Sequence, residues 1–150
     1  MSELRDLYQD VILDHNRRPR NRGRLADATH HAEGDNPLCG DQVSLYLRIE
    51  DGRIAGVSFE GVGCAISTAS ASMMTEALSG LTLEQAHALY GAMIDMLTGD
   101  PLLAGSPSAE VGKLAVFAGV REYPARVKCA TMAWHTLEAA LAGRGEKATE

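Results

Sequence analysis

The chain has 150 residues, 45% hydrophobic and 23% charged, with a formal net charge of −6. At this size folding hides about 68–70% of the unfolded surface, so one domain over 1–150 with its own core is expected, and disorder, collagen and fibrous repeats are excluded. No run approaches the roughly 18 consecutive apolar residues of a membrane span, and charges throughout the first 24 residues leave no stretch for a signal peptide. The chain therefore reads as cytoplasmic. Its net charge has the wrong sign for a general nucleic-acid binder.

Residues 3–15 carry Leu4, Leu7, Tyr8, Val11 and Ile12 at helical spacing, with Ser2 as a candidate cap and His15 placed so that a positive imidazole suits the helix end. The run Arg17-Arg18-Pro19-Arg20-Asn21-Arg22-Gly23-Arg24 ends this helix. It reads first as a solvated connector and second as a docking surface for an acidic partner; it has no aromatic residue on which a base could stack. Residues 25–40 are polar and turn-rich. Val43 to Ile49 alternates apolar and polar, Asp51-Gly52 signals a tight turn, and Ile54 to Glu60 returns as a second strand.

Gly61-Val62-Gly63-Cys64 is expected to break that strand and open a small-residue helix over 65–78. Thr82 and Gln85 form a capping box for a helix over about 83–97. A loop from Gly99 to Pro107 and a short helix over 109–119 follow. Pro124 opens a last helix with Val127, Ala130, Trp134, Leu137 and Leu141 on one stripe. From about residue 143 the tail is polar and expected to fray. The elements make an α+β fold: a small antiparallel sheet packed with an N-terminal helix and C-terminal helices.

Cys39, Cys64 and Cys129 are too few and too scattered for a disulfide framework. In a reducing compartment they are buried small hydrophobes, metal ligands or nucleophiles. Each falls at an element junction. Cys39 and Asp41 are two apart, so in extended backbone thiol and carboxylate point to one side. Cys64 sits at a helix start, where free N–H groups favour a thiolate. Cys129 lies beside Lys128 and three residues after Arg126. Any one cysteine alone reads as a packed side chain, but together three thiols and a carboxylate make four ligands. The five histidines read as structural or exposed. No Walker loop, His-Glu-x-x-His or Gly-x-Ser-x-Gly occurs.

The motifs Asn36-Pro37-Leu38-Cys39-Gly40-Asp41, Phe59-Glu60-Gly61-Val62-Gly63-Cys64-Ala65 and Arg126-Val127-Lys128-Cys129-Ala130, in this order, resemble the IscU/SufU family of iron–sulfur cluster biogenesis, the family of the NifU N-terminal domain. The likeness runs over about residues 3–142. IscU-type scaffolds carry a histidine just before the third cysteine and a Leu-Pro-Pro-Val-Lys chaperone motif. Here Lys128 holds that place, the motif is missing, and the interval from Cys64 to Cys129 is longer, all as in the SufU branch.

That resemblance implies a zinc site made by Cys39, Asp41, Cys64 and Cys129. It also implies a role as sulfur acceptor for a pyridoxal-phosphate cysteine desulfurase of the SufS type, feeding a SufBCD-type assembly complex. Cys39, on its glycine-flanked loop, is then the persulfide acceptor. It must leave the metal while a partner side chain takes its place, and Arg126 lends electrostatic support. The alternative is a scaffold for a labile [2Fe–2S] cluster.

Overall fold

A computed structural model describes residues 2–36, 40–98, 109–142 and 147–149. Helix α1 (Ser2–Arg17) leads through a connector to β1 (His30–Asn36), β2 (Asp41–Glu50) and β3 (Arg53–Val62). Helices α2 (Ala65–Leu78) and α3 (Leu83–Thr98) follow. The 3-10 segment η1 (Ala109–Glu122), helix α4 (Pro124–Leu141) and strand β4 (Lys147–Thr149) complete the chain. The sheet order is β3-β2-β1-β4, antiparallel except for the parallel β1–β4 pair. The antiparallel sheet with flanking helices is the α+β arrangement expected.

Strand alternation sets the layers. Val43, Leu45 and Leu47 turn one face of β2 inward, and Val57 and Phe59 do the same on β3. The β2–β3 turn places Asp51 at φ 52° and Gly52 at φ 73°, the left-handed pair that a two-residue hairpin favours. Helices α2 and α4 cover this inner face, and α3 and η1 pack outside α4. Sandwiched in this way, α4 buries nearly its whole circumference rather than one stripe: Trp134, Leu137, Thr136 and Ala140 are all fully enclosed. The indole Nε1–H of Trp134 donates to Ser70 Oγ at 3.2 Å, and that hydroxyl donates to the Ala130 carbonyl at 2.7 Å, so α2 and α4 share one buried polar link.

Several local readings agree with the structure. The capping box is reciprocal: Gln85 N–H donates to Thr82 Oγ1 and Thr82 N–H to Gln85 Oε1. Pro124 occupies the first turn of α4. Others differ. The polar stretch before Cys39 contains β1, which His-His-Ala-Glu-Gly-Asp-Asn does not suggest; it forms because β2 offers it an edge. Gly61 does not end β3, which runs on to Val62. The helix expected over 109–119 is a 3-10 segment kinked at Gly112, where φ is +51°. Lys147–Thr149 in the tail pairs with Glu33–Asp35. The loop from Gly99 to Pro107 lies outside the described residues.

His15 takes the structural place allowed for it, at the end of α1, but burial between α1 and α2 disfavours the positive imidazole expected there. Its Nδ1 lies 2.7 Å from Ser72 Oγ, and its Nε2 lies 3.5 Å from Glu76. Burial first, and then the Arg20 guanidinium, hold its pKa below the ordinary imidazole value, against the opposing pull of Glu76 and Asp14. The unfolded chain therefore binds a proton that the folded chain refuses. Stability is full above the unfolded value of about 6.5 and falls as pH drops below it, until the folded value is reached. Melting temperatures of native chain and His15→Gln, compared between pH 7.5 and 5.5, should show a steeper loss for the native chain. Parallel curves would contradict the assignment.

Candidate metal centre

Three of the residues singled out by sequence meet at one point. Asp41 is the first residue of β2, opposite Asn36 of β1, and is only 2% exposed. Cys64 stands before α2 in extended conformation (φ −73°, ψ 173°) and caps it, its Sγ accepting the Ser67 N–H at 3.5 Å. Cys129 lies in the second turn of α4, fully buried. Their ligand atoms all lie within 4.8 Å of one another. The strand start, the helix start and the helix turn converge because β2 and β3 are in register as far as Gln42–Val62, which delivers the β3–α2 corner to the beginning of β2.

Close approach at this corner depends on glycine. A Cβ on Gly63 would fall 2.3 Å from Ser67 Oγ and 3.0 Å from Asp41 Oδ1, and one on Gly61 would fall 2.1 Å from the Gln42 carbonyl oxygen. With no side chains there, Cys64 N–H donates to Asp41 Oδ1 at 3.1 Å, while Asp41 Oδ2 stands 3.9 Å from Cys64 Sγ.

The donor set fits a tetrahedral soft-to-borderline cation. Around zinc, with bonds of about 2.0 Å to oxygen and about 2.3 Å to sulfur, neighbouring ligand atoms sit roughly 3.5–3.8 Å apart, close to the Asp41–Cys64 separation here. The N–H donor that fixes the carboxylate is the outer support such ligands require.

Arg126, on the exposed side of α4 one turn before Cys129, turns its guanidinium to the site. It hydrogen-bonds Cys129 and feels the charge of Cys64 and Cys129, which raise its pKa. Lys128 is exposed and forms no salt bridge among the described residues. Cys39 lies outside the described residues; its described neighbours are Asn36, whose carbonyl accepts the Gly40 N–H at 2.8 Å, and Asp41 itself. Sequence reasoning missed Ser67, although the rule that a capping side chain accepts from the third residue onward could have found it. It also placed Cys129 at a junction, whereas the thiol is enclosed. The other histidines take structural places: His31 stacks on Tyr46, His87 pairs with Glu138, and His135 Nδ1 lies 3.0 Å from Tyr90 OH.

An α+β sheet-and-helix fold with a carboxylate and two thiols gathered at one strand–helix corner defines a domain with a candidate cysteine-based metal centre. Residues 7–130 match the NifU-like N terminal domain, and the chain belongs to that family. It is 39% identical over 141 residues to the zinc-dependent sulfurtransferase SufU of Bacillus subtilis (strain 168), covering 94% of this chain and 93% of that protein. It is 40% identical over 141 residues to the iron-sulfur cluster assembly scaffold protein IscU of Streptococcus pyogenes serotype M1, covering 94% and 86%. It also superposes on a putative iron-sulfur cluster assembly scaffold protein for the SUF system from Fervidobacterium islandicum AW-1, with a TM-score of 0.80 and 36% identity over 88% of this chain and 94% of that one.

The two described thiols differ in accessibility. Cys64 is half-buried, whereas burial, with Asp41 and Cys64 alongside, pushes the Cys129 thiol above its ordinary pKa. In chelator-treated protein at pH 8, iodoacetamide should modify Cys64 at least about tenfold faster than Cys129, as read by peptide mass mapping. Equal rates would mean that the α4 thiol is not enclosed.

Proposed function

We propose that the chain is a zinc-dependent sulfur acceptor for a cysteine desulfurase of the SufS type, passing sulfur into iron–sulfur cluster assembly through a SufBCD-type complex. The convergence of Asp41, Cys64 and Cys129 within 4.8 Å carries this reading. Cys39 supplies the fourth ligand: chain connectivity keeps it within roughly 7 Å of Asp41. Zinc held there would keep the thiols deprotonated near neutral pH and orient them. Three thiolates and a carboxylate leave a net negative centre, and Arg126 is its counter-charge.

Cys39 is the acceptor. Its thiolate attacks the outer sulfur of the donor's persulfide, a bond forms between the Cys39 sulfur and that atom, and the donor's S–S bond breaks. The electron pair leaves on the donor cysteine as thiolate, so no oxidant or reductant is consumed. Asp41 and Cys64 hold the corner in place through their N–H···O link while Cys39 takes the sulfur. Arg126 offsets the charge that persists on Cys129 and Cys64.

Lys128 favours this reading over a cluster scaffold, because no histidine precedes Cys129 to serve as a further iron ligand. The scaffold names of several relatives favour the other.

Alanine production from cysteine by the cognate desulfurase separates them. The zinc-loaded chain should stimulate multiple turnovers strongly, and Cys39→Ala should abolish the stimulation while leaving the circular dichroism spectrum intact. An unchanged rate with native chain, together with a stable [2Fe–2S] spectrum after iron and sulfide addition, would support the scaffold instead.

A further inference from the structure

The arginine run after α1 is not consumed by the fold or by the metal centre, and its placement gives it a use. The segment is fixed, not loose. Arg20 N–H donates to buried Ser72 Oγ at 2.8 Å, and Asn21 Nδ2 donates to Thr75 Oγ1 at 3.1 Å. Gly23 N–H and the Asn21 carbonyl both pair with Phe59, which seats residues 21–23 along the free edge of β3. Two of the arginines are engaged locally, Arg20 with Asp14 and Arg24 with the Tyr46 ring. Arg17, Arg18 and Arg22 are exposed and form no salt bridge among the described residues.

Arg22 reaches along β3 to the Gly61 carbonyl at 3.2 Å. The next residue, Val62, is 64% exposed, and Cys64 follows two positions later. A fixed cationic edge with an apolar tip therefore runs into the rim of the sulfur-bearing corner, in a chain whose net charge is −6.

We propose that this edge, with Arg22 as its fixed charge, Arg18 as an exposed charge in the connector leading to it and Val62 as its apolar contact, is the docking surface for an acidic patch on the persulfide-donating protein. The inference rests on the sulfur-acceptor reading and names the recognition chemistry of that site. This edge borders the Asp41–Cys64 corner, where the persulfide has to arrive. A charge held on a backbone already pinned to β3, as Arg22 is, loses little entropy on pairing, and it guides the partner before contact.

The test uses the full zinc-loaded chain and the desulfurase, with two readouts: calorimetric affinity, and the half-saturating concentration for stimulated alanine formation. Arg18→Glu/Arg22→Glu should weaken both by about tenfold, with the saturating rate retained and the circular dichroism unchanged. Raising salt should weaken binding of native chain and have less effect on the variant. Arg53→Glu makes the same kind of charge change at the opposite end of β3, six residues and roughly 20 Å along the strand from the Phe59 level of Arg22, and should leave both readouts unchanged. Unaltered affinity of the double variant, or an equal loss with Arg53→Glu, would overturn the surface while leaving sulfur transfer standing. Tight, arginine-dependent binding without stimulation would keep the surface and sink the sulfur-acceptor reading. An absence of any binding would remove both.

Discussion

The site depends on one constraint: the Asp41 carboxylate is almost wholly removed from water, beside two sulfurs, one of them fully enclosed. A buried charge is costly unless it is paired or hydrogen-bonded. The Cys64 N–H meets one of its oxygens, and this single bond ties the start of β2 to the start of α2. The hairpin register, the absence of side chains at Gly61 and Gly63, and the turn of α4 that carries Cys129 are all arranged around it. The second carboxylate oxygen faces Cys64 Sγ at 3.9 Å, a long contact with a weak thiol donor. A bound cation would complete what the backbone begins.

The same crowding explains why the thiols are poised for metal. Burial and the adjacent carboxylate favour the protonated form of Cys129, and Arg126 works in the opposite direction from outside. A divalent ion would resolve the conflict, because it would bind the thiolate form that burial alone disfavours. The arrangement is therefore asymmetric. Cys129 and Asp41 are anchored inside regular elements, while Cys39 belongs to the short connection between β1 and β2.

Much of this was legible in the sequence because its signals are local. Alternation from Val43 to Ile49, the Asp51-Gly52 turn, the Thr82–Gln85 box and Pro124 each act within a few residues, and each matches the structure. The cysteine motifs identified the family, and their spacing brought Asp41, Cys64 and Cys129 under one reading. What failed was non-local. β1 has poor strand composition and exists because β2 accepts it. His15 suited the helix end as a positive imidazole, but α2 covers it and burial disfavours that charge. Cys129 looked like a junction residue, but α4 is enclosed on nearly every side. Burial is a property of the assembled layers, and a pattern along the chain cannot report it.

The connector between α1 and β1 follows the same logic at the surface. A polar, arginine-rich stretch of this length would ordinarily be a solvated loop, and its composition alone points no further. Its two hydrogen bonds into α2 and its pairing with Phe59 change what it is, because they turn flexible charges into a ridge of defined position. The α2 residues that receive it, Ser72 and Thr75, belong to the helix that Cys64 caps, and Ser72 also meets His15. One helix therefore aligns the sulfur-bearing corner at its start and the arginine ridge along its side. Their relative placement is set by α2 itself, so a partner that recognises the ridge finds the thiols in a fixed direction from it.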